Sequence, residues 1–510
     1  MISVKKMMAT VLTASIVLAG CGGNESAAPA SSPEASPVAS KEVKSNERFK
    51  IEVLNPGSGL PADGTDVIKK ELDQKLNIDI SMQLYASTED YKNQLNIRMA
   101  SNNIPDLFVV DRLQLKQYAQ QNLLLDLTPY KSKLKGVQDF IGEDSWKKGT
   151  WNGKLYGIAK ALSLPQDSLW VRKDWLDKLN LKPPATLEEF RNVIQAFVKN
   201  DPDGNGKADT LGLTGKGTNL MALGSIFGAF GVGLPGDFYV KGGKVVNSLY
   251  DPMMKDALEY IRKMGEDGLI DSELPAINGV QHQQKAIKGQ AGIAHITWPT
   301  IAKDQVVEQI KAVNPNAEWI QLKPPAGPGG QFEGVWDVGA SGWMLAIPKS
   351  MEKNPEKLQR VFDLLNYIST EEGSRLVQYG IQGTHYNLEG NKVAPTSLLD
   401  KEGAYFYLYQ FIGRPEQEYL EVKFPKQKEY IAFAKELPRV QVLNGYIDAP
   451  EGYNPSDATR YIQEETLKFA FGKRPISEYD AFLQTLEKTM NYKVYLDSAT
   501  KQLNELGFGK

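Results

Sequence analysis

Two hydrophobic periods alternate along the first part of the chain, and this alternation restricts the fold more than any other feature of the sequence. Alternating or short continuous apolar runs predict strands, whereas a period near 3.6 residues predicts helices. The predicted strands are residues 49–53, 78–84 and 106–110, and the predicted helices are residues 65–75, 88–100 and 113–121. The order βαβαβα predicts an α/β fold with a doubly wound sheet.

Ligands of doubly wound lobes bind at the carboxyl ends of the strands, so residues that follow predicted strands are candidates for a binding site. Asn55 follows the first predicted strand, and Asp111 follows the third. Both residue types also cap helices, because their side chains accept hydrogen bonds from free backbone amides. Each is therefore predicted either to contact a ligand or to cap the next helix.

The amino-terminal segment predicts a secretory signal peptide over residues 1–20. Two lysines at positions 5 and 6 supply a positive start, residues 7–18 form an uncharged apolar run, and small residues precede Cys21, the single cysteine of the chain. A spanning helix needs about 20 apolar residues. The run is therefore too short for a permanent transmembrane anchor.

Residues 18–21 (Leu-Ala-Gly-Cys) resemble the bacterial lipobox. The resemblance implies that Cys21 becomes the first mature residue and carries acyl chains such as palmitate, which anchor the protein to the membrane by lipid alone. It also implies a location on the outer face of the cytoplasmic membrane, which is extracellular in a Gram-positive cell. With Cys21 acylated, no thiol remains for disulfides, metal binding or nucleophilic catalysis.

Composition separates a tether from the globular part of the chain. Residues 21–47 are rich in serine, alanine and proline, which is typical of a flexible tether. The whole chain, with 41% hydrophobic and 24% charged residues, is typical of a soluble protein large enough for two domains. The net charge is −3, and loss of the signal peptide takes it to −5. A nucleic-acid partner, which requires a basic stripe, is therefore not expected.

Three segments resemble the extracellular solute-binding protein family 1, whose members are the sugar receptors of ABC importers. Residues 153–159 (Gly-Lys-Leu-Tyr-Gly-Ile-Ala) and residues 169–190 are similar to the family signature where the chain crosses between lobes. Within the second segment, Thr186 and Glu189 predict a capping box. Residues 371–386 are similar to a further family motif, although glutamine occupies position 382, where many relatives have glutamate.

The resemblance implies a two-lobe, type II periplasmic-binding-protein-like fold, with doubly wound sheets joined by a hinge and the ligand in the interlobe cleft. Lobe one is expected to comprise residues 48–158 and 340–392. Lobe two is expected to comprise residues 159–339 and 393–510, ending in a helical tail. His385, in the third similar segment, is expected to be either a ligand or hinge contact or an ordinary structural histidine.

Residues 201–209 have the oxygen spacing of a calcium-binding loop. Side-chain oxygens come from Asp201, Asp203, Asn205 and Asp209, and Lys207 offers its backbone carbonyl. Position 12 of the loop is a glycine, where an EF-hand has a bidentate glutamate. The loop therefore predicts one structural Ca2+ that is bound weakly or completed by another residue, with a turn without an ion as the alternative. A resemblance to alginate-type sugar receptors implies a similar calcium loop.

Sugar rings have flat apolar faces, so a sugar receptor is expected to stack them on aromatic side chains. Trp298 follows a predicted buried strand, at a place where the family resemblance implies a stacking ring, and Trp336 lies beside a loop rich in glycine and proline. Arg172 is a further candidate. The predicted ligand-binding residues are Asn55, Asp111, Arg172, Trp298, Trp336 and His385.

The sequence contains no zinc-protease, nucleophile-elbow or P-loop motif. The predicted function is that of a monomeric lipoprotein that captures an oligosaccharide and delivers it to the permease subunits of an ABC importer. The alternative is a surface-anchored carbohydrate-active enzyme, a glycosidase or lyase, because the spacing of a catalytic carboxylate pair cannot be read from sequence.

Overall fold

The protein is described here by a computed structural model of residues 48–277 and 279–509, so the predicted signal peptide, Cys21 and the tether lie outside the described residues. The strands are β1 (Phe49–Pro56), β2 (Ile78–Tyr85), β3 (Leu107–Val110), β4 (Thr150–Trp151), β5 (Lys154–Leu155), β6 (Ile158–Ala159), β7 (Asp167–Arg172), β8 (Leu211–Gly215), β9 (Phe238–Lys241), β10 (Lys244–Asn247), β11 (Ala291–Thr297), β12 (Trp319–Leu322), β13 (Val335–Asp337), β14 (Met344–Ala346), β15 (Tyr386–Glu389), β16 (Lys392–Pro395) and β17 (Val440–Val442).

The α-helices are α1 (Val67–Leu76), α2 (Thr88–Ala100), α3 (Arg112–Gln120), α4 (Lys135–Ile141), α5 (Glu143–Lys148), α6 (Lys173–Lys178), α7 (Leu187–Lys199), α8 (Gly224–Ala229), α9 (Met253–Glu266), α10 (Gln281–Ile287), α11 (Trp298–Ile301), α12 (Asp304–Val313), α13 (Pro355–Ser369), α14 (Glu371–Tyr379), α15 (Ser397–Glu402), α16 (Glu416–Lys423), α17 (Lys428–Glu436), α18 (Pro455–Ala470), α19 (Tyr479–Met490) and α20 (Tyr492–Glu505). Among the described residues, no helix is long and apolar enough to cross a bilayer.

The sheet of lobe one has five strands in the order β2-β1-β3-β14-β6. β1 is parallel to β2 and β3, whereas β14 is antiparallel to β3 and β6. Parallel neighbours need a crossover connection, and α1 and α2 supply it at bounds within a few residues of those predicted from sequence. The α/β fold class and the predicted βαβαβα order are confirmed.

The main sheet of lobe two has four strands in the order β12-β7-β11-β8. It is mixed, because β11 is parallel to β8 and antiparallel to β7. A capping box between Thr186 and Glu189 begins α7, as predicted, and the apolar face of that helix packs into the core of lobe two through Phe190, Ile194 and Phe197. A smaller sheet with the order β10-β9-β17-β13 lies in the same half of the molecule.

The chain passes between the lobes at three places. The first crossing joins Ala159, in the core of lobe one, to Asp167 at the start of β7. The second lies between Val338, which packs against Phe238, and Met344, which returns to the core of lobe one. Both places lie close to the boundaries that the family resemblance implies.

The third crossing lies further along the chain than the expected boundary between residues 392 and 393. Phe406, Leu408 and Ile412 are buried in the core of lobe one. The 3-10 helix Gly403–Tyr409 is therefore part of lobe one, and the crossing follows residue 412. The boundary could not be predicted here, because the lobe on which these residues pack is decided by residues distant in the sequence. The helical tail packs into the core of lobe two through Ile462, Phe482 and Tyr492.

Candidate functional site

The strand pairing shows which edges of the two sheets face the hinge. Ala159 pairs with Met344, which also pairs with Val110, so the chain leaves lobe one at the carboxyl ends of β3 and β6. It enters lobe two at Asp167, which pairs with Thr297 at the carboxyl end of β11. The carboxyl ends of strands from both lobes therefore lie at the junction between them.

A cavity of about 860 Å³ lies at this junction. Lobe one contributes Arg112, Lys116 and Trp151, and the carboxyl-terminal part of the chain contributes Asp448 and residues of α20. The volume lies within the range of about 300–1,000 Å³ that is usual for small-ligand pockets. The cavity combines an aromatic ring with charged and amide side chains, which is the mixture that a sugar ligand requires.

Arg112 holds the two sides of the cavity together. Its Nε and Nη2 atoms donate to the two oxygens of Asp448 at 3.0 and 2.9 Å. Its Nη1 atom donates to the backbone carbonyls of Lys148 and Thr150, both at 2.8 Å. A second contact between the lobes runs from the Tyr446 hydroxyl to the Asp144 carbonyl at 2.9 Å. The fork of the guanidinium thus joins α3, α5 and the carboxyl-terminal segment.

Trp151 is the half-buried ring of the cavity. It ends β4, in a hairpin with β5 whose turn contains Asn152 at φ 46° and Gly153 at φ 73°. The Asn-Gly pair favours such a tight turn, because both residues tolerate positive φ. The ring centroid lies 6.2 Å from that of Tyr156. The sequence signal for this site is an aromatic residue next to an Asn-Gly hairpin turn.

Asp111 lies at the carboxyl end of β3 and caps α3 through a capping box with Gln114. The capping alternative considered from sequence is therefore what the structure contains. The same carboxylate accepts a hydrogen bond from Lys92 Nζ at 2.5 Å, and that ammonium lies 5.5 Å from the ring centroid of Trp343. Asn55 is half-buried near the end of β1, where it pairs with Leu84. Both predicted residues thus lie at the hinge-facing edge of lobe one.

The other predicted ligand-binding residues are less accessible, and the structure corrects two of them. Trp298 is only 1% exposed and packs edge-on against Phe424 at 5.2 Å, so its ring has no open face in this conformation. Arg172 is fully buried, forms a bidentate pair with Asp174, and lies at the end of β7 that is distant from the hinge. Both side chains are buried by residues from distant parts of the sequence. Hydrophobic periodicity carries no information on such contacts, so their burial could not be predicted.

Trp336 and His385 also lie outside the cavity. Trp336 is half-buried on β13 and packs against the core around Phe238. His385 is buried, accepts a hydrogen bond from the Ile381 amide at Nδ1, and contacts Glu402 with Nε2 at 3.1 Å. These contacts favour the structural alternative for His385.

A buried ionic cluster lies at the hinge-facing edge of lobe two. His295 Nε2 is 3.2 Å from Glu333 and 3.5 Å from Asp167, and Arg439 donates to the Asp167 carbonyl at 2.6 Å. Burial opposes protonation of the imidazole, but the two carboxylates outweigh it and raise the pKa of His295 to about 10. Burial likewise opposes ionisation of Asp167, but His295 and Arg439 lower the pKa of that carboxyl to about 2.

The predicted calcium loop lies at the opposite edge of lobe two, since β8 begins at Leu211, just after the loop, and ends at the hinge-facing edge. Asn205 Nδ2 donates to Asp203 at 3.0 Å and to Asp209 at 2.9 Å, so these carboxylates converge on one amide. Asp201 accepts hydrogen bonds from three backbone amides of the turn. Within the described ranges, no set of three or more acidic, histidine or cysteine side chains is arranged as a metal site.

The oxygen donors of this loop nevertheless fit a hard cation. Burial, followed by the neighbouring Asp201, raises the pKa of the Asp203 carboxyl, which is the expected consequence of crowding two carboxylates in one turn. Rotation of the Asn205 amide would turn its oxygen towards Asp203 and Asp209. The backbone carbonyl of Lys207 completes the predicted donor set, and the chemistry of all five donors suits Ca2+.

We expect the ionic cluster to make stability dependent on pH. The pKa of His295 is higher in the folded protein, so its contribution is complete below pH 6.5 and is lost as the pH rises through about 10. His295→Asn leaves the buried carboxylate of Glu333 without its cation, and we expect a loss of about 3–5 kcal/mol at pH 6 that shrinks towards pH 10. Urea unfolding at pH 6, 8 and 10 measures it.

His282→Asn provides the matched control for this measurement. Burial lowers the pKa of His282, so its imidazole is neutral in the alkaline range and the deficit of this variant should stay constant from pH 8 to pH 10. A deficit of His295→Asn that is equally constant from pH 8 to pH 10 would contradict the assignment of a charged imidazole.

The sequence is similar to characterised bacterial proteins along most of its length. It is 26% identical over 499 residues to the polygalacturonan/rhamnogalacturonan-binding protein YtcQ of Bacillus subtilis, covering 95% of each chain. It is also 26% identical over 437 residues to lipoprotein LipO of the same organism, covering 84% of this chain and 81% of LipO.

Solved structures of solute-binding proteins share the fold. An HMO-binding, ABC-transporter-associated solute-binding protein from Bifidobacterium longum infantis superposes with a TM-score of 0.65 at 19% identity, covering 91% of this chain and all of that one. An EF-hand mutant of the Streptococcus pneumoniae ABC-transporter substrate-binding protein FusA, in complex with fructo-nystose, gives a TM-score of 0.57 at 19% identity, covering 90% and 99%.

The two-lobe fold of these structures agrees with the two cores and the hinge-facing cavity. A family model described as bacterial extracellular solute-binding protein matches residues 68–383, which is more than half of the chain. The protein therefore belongs to the bacterial extracellular solute-binding protein family.

Proposed function

We propose that this protein captures an oligosaccharide in the cavity between its lobes and delivers it, as a monomer, to the permease subunits of an ABC importer. The observation that carries the proposal is the cavity itself, in which Trp151 and the polar groups of Arg112, Lys116 and Asp448 meet at the hinge. An aromatic ring accepts the apolar face of a sugar, and the polar groups fix its hydroxyls. The names of YtcQ and FusA, which describe carbohydrate or ABC-transporter binding proteins, support this assignment.

The same cavity favours binding over glycoside hydrolysis. A glycosidase needs a carboxyl group free to donate a proton and a second one to assist. Asp448 is held by the guanidinium of Arg112, and Glu505 is a largely exposed residue of α20. The cavity therefore presents one carboxylate that is already paired and one that is open to solvent. Family membership supports the same choice.

We also propose that Cys21 carries the lipid that anchors the protein to the outer face of the cytoplasmic membrane. The Leu-Ala-Gly-Cys motif, the preceding apolar run and the similarity to lipoprotein LipO support this proposal.

A structural Ca2+ at residues 201–209 is the third part of the proposal. The converging oxygens of Asp203, Asn205 and Asp209 support it, as does the mention of an EF-hand in the FusA structure. The ion would neutralise the crowded carboxylates and order the loop between α7 and β8. Because the loop lies at the edge of lobe two that is distant from the hinge, its role is stability and not sugar contact.

Binding should be accompanied by closure and not by turnover. We expect an oligosaccharide selected on a glycan array to reduce the radius of gyration measured by small-angle X-ray scattering, because the hinge closes on it. We expect Trp151→Ala to weaken binding by about 1–3 kcal/mol, the scale of losing one stacked ring, in isothermal titration calorimetry. Tyr130→Ala, which alters a ring packed on Phe362 in lobe one, is the control.

Unchanged affinity in Trp151→Ala would remove its ring from the binding site. Release of new reducing ends during prolonged incubation with the bound sugar would instead establish an enzyme.

Removal of the lipid-bearing cysteine should release the protein from the membrane. We expect Cys21→Ala to appear in the soluble fraction after cell fractionation, because the apolar run that precedes it is too short to span the bilayer. Metabolic labelling with an acyl-chain analogue should mark the wild type only. A mutant that stays as firmly in the membrane fraction as the wild type would rule out the lipid anchor.

Calcium should raise the thermal stability without changing sugar affinity. If Ca2+ binds the folded loop alone, a concentration 100 times its dissociation constant adds about 2.7 kcal/mol. We expect the melting temperature to fall on chelation in the wild type and not in Asp203→Ala, measured by differential scanning calorimetry. Identical melts with and without chelator would exclude the site, and a large loss of sugar binding by the folded protein would place the ion in the cleft.

A further inference from the structure

The short helix α5 contacts two of the three segments that cross between the lobes. Ser145 Oγ donates to the Lys160 carbonyl in the first crossing at 2.8 Å. Lys148 Nζ donates to the Ala340 carbonyl in the second crossing at 2.6 Å. The helix itself belongs to lobe one, because the side chain of Trp146 is buried in the core of that lobe. Helix α5 therefore lies where the chain bends between the lobes.

The carboxyl-terminal segment of lobe two holds the same helix through separate contacts. The Tyr446 hydroxyl donates to the Asp144 carbonyl at 2.9 Å. The Phe508 ring packs on that of Tyr446 at a centroid distance of 5.0 Å, and the Lys147 ammonium lies 4.6 Å from its centroid. Lobe two thus contacts α5 both at a crossing and through its carboxyl-terminal segment. Any change in the angle between the lobes has to keep or break these contacts.

Lys148 is an unusual residue for the position that it occupies in this helix. It is only 3% exposed, and the carboxylates that face it are those of Asp337 and Asp144. Neither of these two carboxylates forms an ion pair with it, so its ammonium is buried with a backbone carbonyl as acceptor. Burying an ammonium in this way costs free energy, and an apolar side chain of the same length would avoid that cost. Stability alone therefore does not account for a lysine here.

The peptide group that Lys148 contacts is held firmly on the side of lobe two. The carboxylate of Asp337 accepts hydrogen bonds from the Gly339 amide at 2.9 Å and from the Ala340 amide at 3.1 Å. It also accepts one from the Gly445 amide at 3.0 Å. The backbones of Gly339 and Gly445 are in direct contact, since a Cβ added at Gly445 would lie 2.1 Å from the Gly339 carbonyl carbon. The bond from Lys148 therefore joins α5 to a rigid part of lobe two.

Lys148 is also bonded to the cavity. Its backbone carbonyl accepts a hydrogen bond at 2.8 Å from Nη1 of Arg112, which lines the cavity and binds Asp448. One residue thus contacts the cation of the cavity through its backbone and the second crossing through its side chain. We propose that Lys148 is a positioning residue for ligand binding, which fixes the angle between the lobes through α5 at the hinge axis. This inference rests on the proposed function as an oligosaccharide receptor.

The distribution of distances between the lobes, measured by double electron–electron resonance, tests the inference. In the full chain with Cys21→Ala, which has no other cysteine, spin labels at the exposed positions of Lys135→Cys and Lys263→Cys report on lobe one and lobe two. Lys148→Met keeps the length of the side chain and removes the donor. We expect it to broaden the distribution without any ligand. It should also weaken binding of the oligosaccharide with the highest signal on a glycan array about ten- to hundredfold, mainly through faster dissociation.

Two further variants separate this effect from a general loss of stability. Lys357→Met is the matched control, because it removes a lysine that contacts Asp106 at 2.6 Å within lobe one. It should keep the distance distribution and the affinity of the wild type, whatever its melting temperature. Tyr446→Phe keeps the aromatic ring and removes only the hydroxyl that donates to Asp144. It should broaden the distribution as Lys148→Met does, and it tests the role of α5 even where Lys148→Met does not fold.

The outcomes distinguish the hinge assignment from the receptor function. Distributions as narrow as that of the wild type in both Lys148→Met and Tyr446→Phe would overturn the placement of α5 at the hinge axis and leave the receptor function intact. A broadened distribution with unchanged affinity in Lys148→Met would overturn its role in positioning for binding. Binding of no oligosaccharide from the array by the wild type would overturn the receptor function itself, whereas the distributions without ligand would still decide the role of α5.

Discussion

The contact between Arg112 and Asp448 determines the geometry of the cavity. A guanidinium can satisfy a carboxylate with two parallel hydrogen bonds and still donate to two carbonyls, which a lysine ammonium cannot do with the same directional fit. Arg112 uses all of these donors, on Asp448, Lys148 and Thr150. Because both charged side chains are mostly buried, at 23% and 18% exposure, solvent screens their attraction only weakly. The position of Trp151, one residue after Thr150, depends on this contact.

Local features of the fold could be predicted from sequence because their causes are local. The capping boxes of Asp111 with Gln114 and of Thr186 with Glu189 each lie within four residues, and the apolar stripe of α7 repeats at helical spacing. The third crossing could not be placed, because whether Phe406 and Ile412 pack on one lobe or the other is decided by residues hundreds of positions away. The burial of Trp298 against Phe424 has the same kind of cause.

The candidate site was harder to predict than the fold for a related reason. The sequence offered Asp111 as a candidate at the end of β3, and this residue caps a helix. The adjacent Arg112, whose partner lies 336 residues away, lines the cavity instead. Pairing across such distances leaves no periodic signal. Ion pairing in the structure is more informative, because it separates charged side chains that already have a partner in the protein from those that remain available to a ligand. By this criterion Asp111 and Asp167 are structural.

The predicted calcium loop and the hinge-facing edge of lobe two lie at the two ends of β8. This strand has five residues, so it holds the predicted calcium loop and the hinge-facing edge of lobe two roughly 13–17 Å apart at the usual rise of a strand. A charge at the loop is therefore more than a Debye length from the cleft at physiological salt, and its direct field there is weak. An ion in the loop can influence the ligand only through the position of β8. Because β8 pairs along its length with the central strand β11, that position is fixed by the sheet whether or not the loop is ordered. In the proposed function, an ion in the loop would therefore act on stability and not on ligand recognition.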